Sequence, residues 1–174
     1  MDEIKYGLLI GILSNHGIPA AKAWTLPSVL KARIKEADSN LNSLSQLNDL
    51  SAQQVIGLYN QSPKLHRFNN KMAIYVHQLI EIVNTQYHAD FDLLLPTDDN
   101  HRLISNVSSL PGMSLKKARH LLVYLVQIDN RYQITDEQYK LFTADCPQLV
   151  EKFDTNLELL YRCQQSNSNQ KSNK

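Results

Sequence analysis

The chain has 174 residues, of which 43% are hydrophobic and 20% charged, with a net charge of +1. That length suits one domain or two small ones with a sizeable core, and the composition is that of a globular rather than a disordered chain. Two cysteines, Cys146 and Cys163, exclude a disulfide framework and predict a reducing, cytoplasmic setting. No apolar run approaches the roughly 18 residues of a membrane span, and a start carrying Asp2 and Glu3 is unlike a secretory signal.

Glycine and proline are scarce, at 5 and 6 residues, and the apolar spacing is helical almost throughout, so an all-α bundle is expected. Ile4, Leu8, Leu9, Ile12 and Leu13 predict a first helix with one buried face, broken at Gly17-Ile18-Pro19. Residues 20–37 read as a second helix that Pro27 should kink or split. Residues 38–45 read as a polar turn. Ser51 is a suitable cap for a short helix over 52–58. Phe68, Met72, Tyr75, Val76, Leu79, Ile80 and Val83 predict a strong helix reaching about Tyr87.

His66, His77 and His88 recur every 11 residues, so His77 and His88 could share a helix face. That interval is too long for two histidines to hold one metal ion, and no metal site is predicted. Phe91–Leu95 is too short to assign. A helix over 100–107 leads to a tight break at 109–114, and Leu115 to Ile128 is helical again. Thr135 and Gln138 form a capping-box pattern ahead of helices over 136–144 and 148–163. Residues 1–163 therefore read as one helical domain. Residues 164–174 hold only Gln, Ser, Asn and Lys and are expected to be a disordered tail.

The small net charge hides a pattern. Residues 61–80 carry Lys64, Arg67 and Lys71 and no acid, and residues 101–128 carry Arg102, Lys116, Lys117 and Arg119 and no acid. Between them lie Glu81, Asp90, Asp92, Asp98 and Asp99 with no base. Two basic blocks flanking an acidic one are either solvated helix faces or parts of a surface for a polyanion such as nucleic acid.

The segment Leu110-Pro111-Gly112-Met113-Ser114-Leu115-Lys116-Lys117-Ala118 carries the most information. Proline and glycine force a tight turn, Gly112 permits positive φ or close backbone approach, and Ser114 can cap the helix that restarts. Backbone N–H groups at that helix start favour an anion, and Lys116, Lys117 and Arg119 add cations suited to a phosphodiester. The alternative is an ordinary structural corner.

This stretch resembles the hairpin of the endonuclease III-like helix-hairpin-helix DNA glycosylases, which typically reads L-P-G-x-G-x-K-x-A. Leu110, Pro111, Gly112, Lys116 and Ala118 match, and Ser114 replaces the second glycine. Residues 8–16 are similar to the family's early apolar helix, with His16 in the place of a glutamine, and Phe68-Asn69-Asn70-Lys71-Met72-Ala73 resembles its aromatic-asparagine-x-lysine-alanine segment. The resemblance covers roughly residues 6–128.

It implies a base-excision-repair protein that binds double-stranded DNA through Gly112, Met113, Ser114, Lys117, Arg119 and His16, and acts as a glycosylase with an accompanying abasic-site lyase step. Lys116 falls on the family's Schiff-base lysine, with Lys117 as the alternative if the hairpin is shifted by one. Desolvation by Met113 and Leu115, with the charge of Lys117 and Arg119, is expected to lower its pKa. Asp136 is the candidate for the assisting aspartate and equally a helix-capping residue, with Asp129 as a further alternative. The iron–sulfur cluster that many family members carry needs four clustered cysteines, so no such cofactor is expected here. The other readings are a non-catalytic DNA-binding relative and a plain helical interaction module.

Overall fold

The computed structural model describes residues 2–165. Among them the elements are ten α-helices and one 3-10 helix, with no strand: α1 Asp2–Ser14, α2 Ala20–Ala37, the 3-10 helix Leu44–Asp49, α3 Ala52–Asn60, α4 Asn69–Thr85, α5 Phe91–Leu94, α6 Asn100–Ser108, α7 Leu115–Ile128, α8 Asp136–Thr143, α9 Pro147–Glu151 and α10 Phe153–Gln165. The fold is all-α, as the spacing predicts. The tail expected over 164–174 falls largely outside the described residues; Gln164 and Gln165 continue α10.

The first helix departs from its expected single buried face. Every residue from Ile4 to Ser14 is buried, so α1 is the axis of the bundle, packed by α2, α4, α7, α10 and the 3-10 helix. A helix apolar nearly all round is stable only when it is enclosed. Two glycines let its neighbours close in: a Cβ on Gly11 would lie 2.8 Å from the Trp24 ring, and one on Gly7 would lie 2.8 Å from Leu160 Cδ1. Trp24 stacks on Tyr124 at 4.6 Å, and Tyr124 on Phe153 at 4.4 Å, forming an aromatic column through α2, α7 and α10. Buried apolar side chains from Ile4 to Cys163 form one continuous core.

Two lysines buried in this core have partners. Lys5 is 2% exposed and pairs with Asp129 at 3.4 Å, with the rings of Phe91 and Tyr132 within 6 Å of its amine. Lys31 donates to the Cys163 carbonyl at 2.8 Å and pairs with Glu3 at 3.4 Å.

Pro27 neither splits nor ends α2, which runs unbroken from Ala20 to Ala37. Trp24 and Leu26 before the proline and Leu30 and Ile34 after it are all buried, so tertiary packing holds both halves helical despite the missing N–H. The 3-10 helix lies partly in the stretch read as a turn, anchored by buried Leu44 and Leu47. Phe91–Leu94 is a single helical turn capped by Asp90. The capping boxes at Ser51–Gln54 and Thr135–Gln138 are both formed. The last predicted helix is two, α9 and α10, interrupted at Lys152.

Candidate nucleic-acid interface

The 109–114 turn joins α6 to α7. Leu110 N–H donates to Val107 O, and Met113 N–H donates to Leu110 O at 3.1 Å. Gly112 has φ of +73°, and a Cβ there would lie 2.5 Å from Leu13 Cδ1 and 2.7 Å from Tyr75 Cδ2. Its missing side chain therefore makes room for α1 and α4. Ser114 caps α7, its Oγ accepting from Lys117 N–H at 3.1 Å. The next amides, of Leu115 and Lys116, are first-turn donors that a helix leaves without carbonyl partners of its own.

Adjacent lysines at this start face different surroundings. Lys117 turns inward: its Nζ donates to Leu13 O at 3.0 Å and to Gly112 O at 3.1 Å, and desolvation lowers its pKa from the usual lysine value. Lys116 stands in solvent with its side chain 57% exposed, its amine 3.6 Å from Asp145 Oδ2. The desolvated amine expected at Lys116 is thus found at Lys117, because Lys117 shares the buried face of α7 with Leu121 and Tyr124.

Asp145 also reaches His120, whose Nε2 lies 3.5 Å from Oδ1. Burial lowers the pKa of His120, against the opposing pull of Asp145. For the Asp145 carboxyl, desolvation acts upward, and His120 and Lys116 outweigh it to bring the pKa below the usual value.

Two clefts meet across the start of α7. One, of about 570 Å³, lies between the α1–α2 connection, α7 and α9–α10, and includes Lys116, Lys117, His120 and Lys152 in its lining. The other, of about 540 Å³, lies against α4 and includes Phe68, Lys71, Tyr75 and Met113. His16, Ser114 and Lys117 line both. Among the described residues no acidic side chain lines either cleft. Lys71 comes from one basic block of the sequence and Lys116 and Lys117 from the other.

Of the residues singled out in sequence, Gly112, Met113, Ser114, Lys117 and His16 come together at these clefts, with Lys116 beside them. Arg119 does not line either cleft; its guanidinium lies over the Phe142 ring at 5.2 Å, against α8. Asp136 is exposed in the first turn of α8 and forms no ion pair with Lys116 among the described residues. Asp129 is buried with Lys5 and bonded to Arg131. The three regularly spaced histidines have separate roles. His66 lies buried in the loop before α4 and bonds to Ser14 O; His77 bonds to Leu50 O; His88 has positive φ in the turn after α4.

Sequence reasoning missed Asp145, His120 and Lys152. His120 was legible as the residue four positions after Lys116, on the same helix face. Asp145 reaches that face only through the α8–α9 turn, for which no local pattern speaks. No group of three or more histidine, cysteine or acidic residues suited to a metal ion occurs among the described residues, and no helix there is long and apolar enough to cross a membrane. Comparison with family models, curated proteins and solved structures finds no match to this chain.

Proposed function

We propose that this protein binds double-stranded DNA across the two joined clefts and acts in base-excision repair, as a glycosylase with an abasic-site lyase step through Lys116. The observation that carries the reading is the lining of the clefts, to which both basic blocks of the sequence contribute Lys71, Lys116 and Lys117, joined by Lys152, with Asp145 paired to Lys116. Lysines arranged in this way around a helix start attract phosphodiester oxygens and release counterions on binding. The likeness of residues 110–118 to the glycosylase hairpin supports the same reading.

In the proposed reaction the amine of Lys116, oriented by Asp145 and having given its proton to water, attacks C1′ of a damaged nucleotide. The C1′–N bond breaks, its electron pair leaves with the base, and the base takes up a proton. One proton of the attached amine passes to water and the other to O4′ as the C1′–O4′ bond breaks, giving an imine at C1′; loss of a C2′ proton to water then expels the 3′ phosphate and cuts the strand.

Borohydride trapping on abasic-site DNA tests this. A covalent adduct formed by the intact protein and lost in Lys116→Ala is the expected result. Lack of any adduct, together with lack of base release from damaged duplexes, would contradict catalysis. One observation favours the second reading, a non-catalytic DNA-binding module: the desolvated amine, that of Lys117, is held by two carbonyls. Under that reading duplex binding persists without trapping.

A further inference from the structure

Phe68 is 41% exposed and caps the N-terminus of α4, at the edge of the 540 Å³ cleft. Planar and cationic groups surround its ring. His16 lies 6.1 Å away between centroids with a 31° tilt, His66 lies 5.9 Å away with a 36° tilt, and the Arg67 guanidinium stands 5.5 Å from the ring centroid. Lys71 and Lys117 line the same cleft.

The backbone beneath the ring is held firmly. Phe68 N–H donates to His66 Nδ1 at 3.0 Å, His66 N–H donates to Asn69 Oδ1 at 2.9 Å, and His66 Nε2 lies 2.9 Å from Ser14 O. Because Nδ1 accepts, the ring proton sits on Nε2 and donates to Ser14 O. The loop is thereby tied to the end of α1, and the aromatic side chain stands on a pre-organised base rather than on a loose segment.

We propose that Phe68 is a stacking platform for one unpaired base of a DNA strand whose phosphates lie along Lys71, Lys117 and His16. Every base offers a π-face, and an exposed aromatic ring beside cations and free of acids fits such a base and its phosphates together. This goes beyond the duplex binding proposed above and does not depend on chemistry at Lys116.

The test uses two duplexes of equal length, one fully paired and one with a single-nucleotide bulge carrying the fluorescent base 2-aminopurine. Wild-type protein should bind the bulged duplex roughly 5- to 150-fold more tightly and quench its fluorescence, in keeping with the usual worth of one base–aromatic stack. Phe68→Ala and Phe68→Leu should lose the preference and the quench, and Phe68→Trp should retain both, the preference being read for each variant as the ratio of its own bulged- and paired-duplex affinities. Melting curves for each variant establish that the fold persists, and Phe68→Trp preserves the ring if the smaller side chains do not fold.

Retention of the preference in Phe68→Leu would overturn the proposal, since bulk rather than a π-face would then suffice. Equal wild-type affinity for the two duplexes would also overturn it, leaving the duplex-binding reading intact. A Phe68-dependent bulge preference without salt-sensitive duplex binding would support the platform and remove that reading. Binding of neither duplex would remove both and assign this face to a protein partner.

Discussion

The Nζ of Lys117 donates to the main-chain carbonyl of Leu13 at 3.0 Å, across 104 positions of sequence. Through a second bond, to Gly112 O, the same amine holds the 109–114 turn against the end of α1. The side chain that the sequence marks as a phosphate contact thus also secures the turn that shapes both clefts.

Replacing Lys117 by Met should therefore cost stability as well as binding. Two carbonyls lose their donor, a loss of about 1–3 kcal/mol. The pH dependence should change too. The folded-state pKa lies below the ordinary 10.5, so the unfolded chain holds the proton more tightly and the contribution of Lys117 to stability rises with pH through the window between the two values. The buried tyrosines act in the opposite sense over the same range, so denaturant titrations at two alkaline pH values should show a steeper fall of stability in Lys117→Met than in the wild type.

Gly112→Ala is a test of packing. Positive φ costs a non-glycine residue about 1–2 kcal/mol, and the new Cβ would have to displace Leu13 and Tyr75. Thermal melting should show destabilisation beyond the backbone cost alone. An unchanged melting temperature would mean that the turn adjusts freely.

Asp129→Asn should be severe. It leaves the Lys5 ammonium buried without its carboxylate, and breaking a buried pair costs roughly 3–5 kcal/mol. Hydrogen bonding from Arg131 is the main cause that brings the Asp129 pKa down to about 2. Its contribution is complete above the unfolded value of 3.8 and is lost as pH falls toward 2. Acid titration of the wild type should show that loss, and the Asn variant should lack it.

Mild acid acts through the histidines. Burial lowers the pKa of His66 and of His120 below 6.5, so stability should be full above that pH and fall as pH drops through the window below it. Protonated His66 also loses the acceptor used by Phe68 N–H. Melting temperatures at pH 7.5 and 5.5 should differ in the wild type and differ less in His66→Asn.

Much of the helical layout was legible in the sequence. Residues 20–37 and 115–128 are helices with the limits that spacing and caps suggest, and Thr135 and Ser51 cap as their patterns imply. Pro27 does not split α2, because local backbone preference is outweighed by burial on both sides of it. The enclosure of α1 was written in its nearly unbroken apolar run, which a search for one face overlooks. At the site, Lys117 stands one turn before Leu121, so its inward direction followed from helix period. Arg119's place over Phe142 and Asp145's place beside Lys116 depend on how α8 and α9 fold back, which no local pattern encodes.

The most direct test of the account is the affinity for a paired DNA duplex measured over a range of salt concentrations, for the wild type and for Lys116→Ala and Lys152→Ala. Binding should weaken linearly on a logarithmic scale, with a slope of about −0.9 for each phosphate neutralised. Each substitution should lower affinity for all sequences alike and reduce the slope by about one. Binding that is absent, independent of salt, or unchanged in slope when these lysines are removed would contradict a DNA interface at the start of α7.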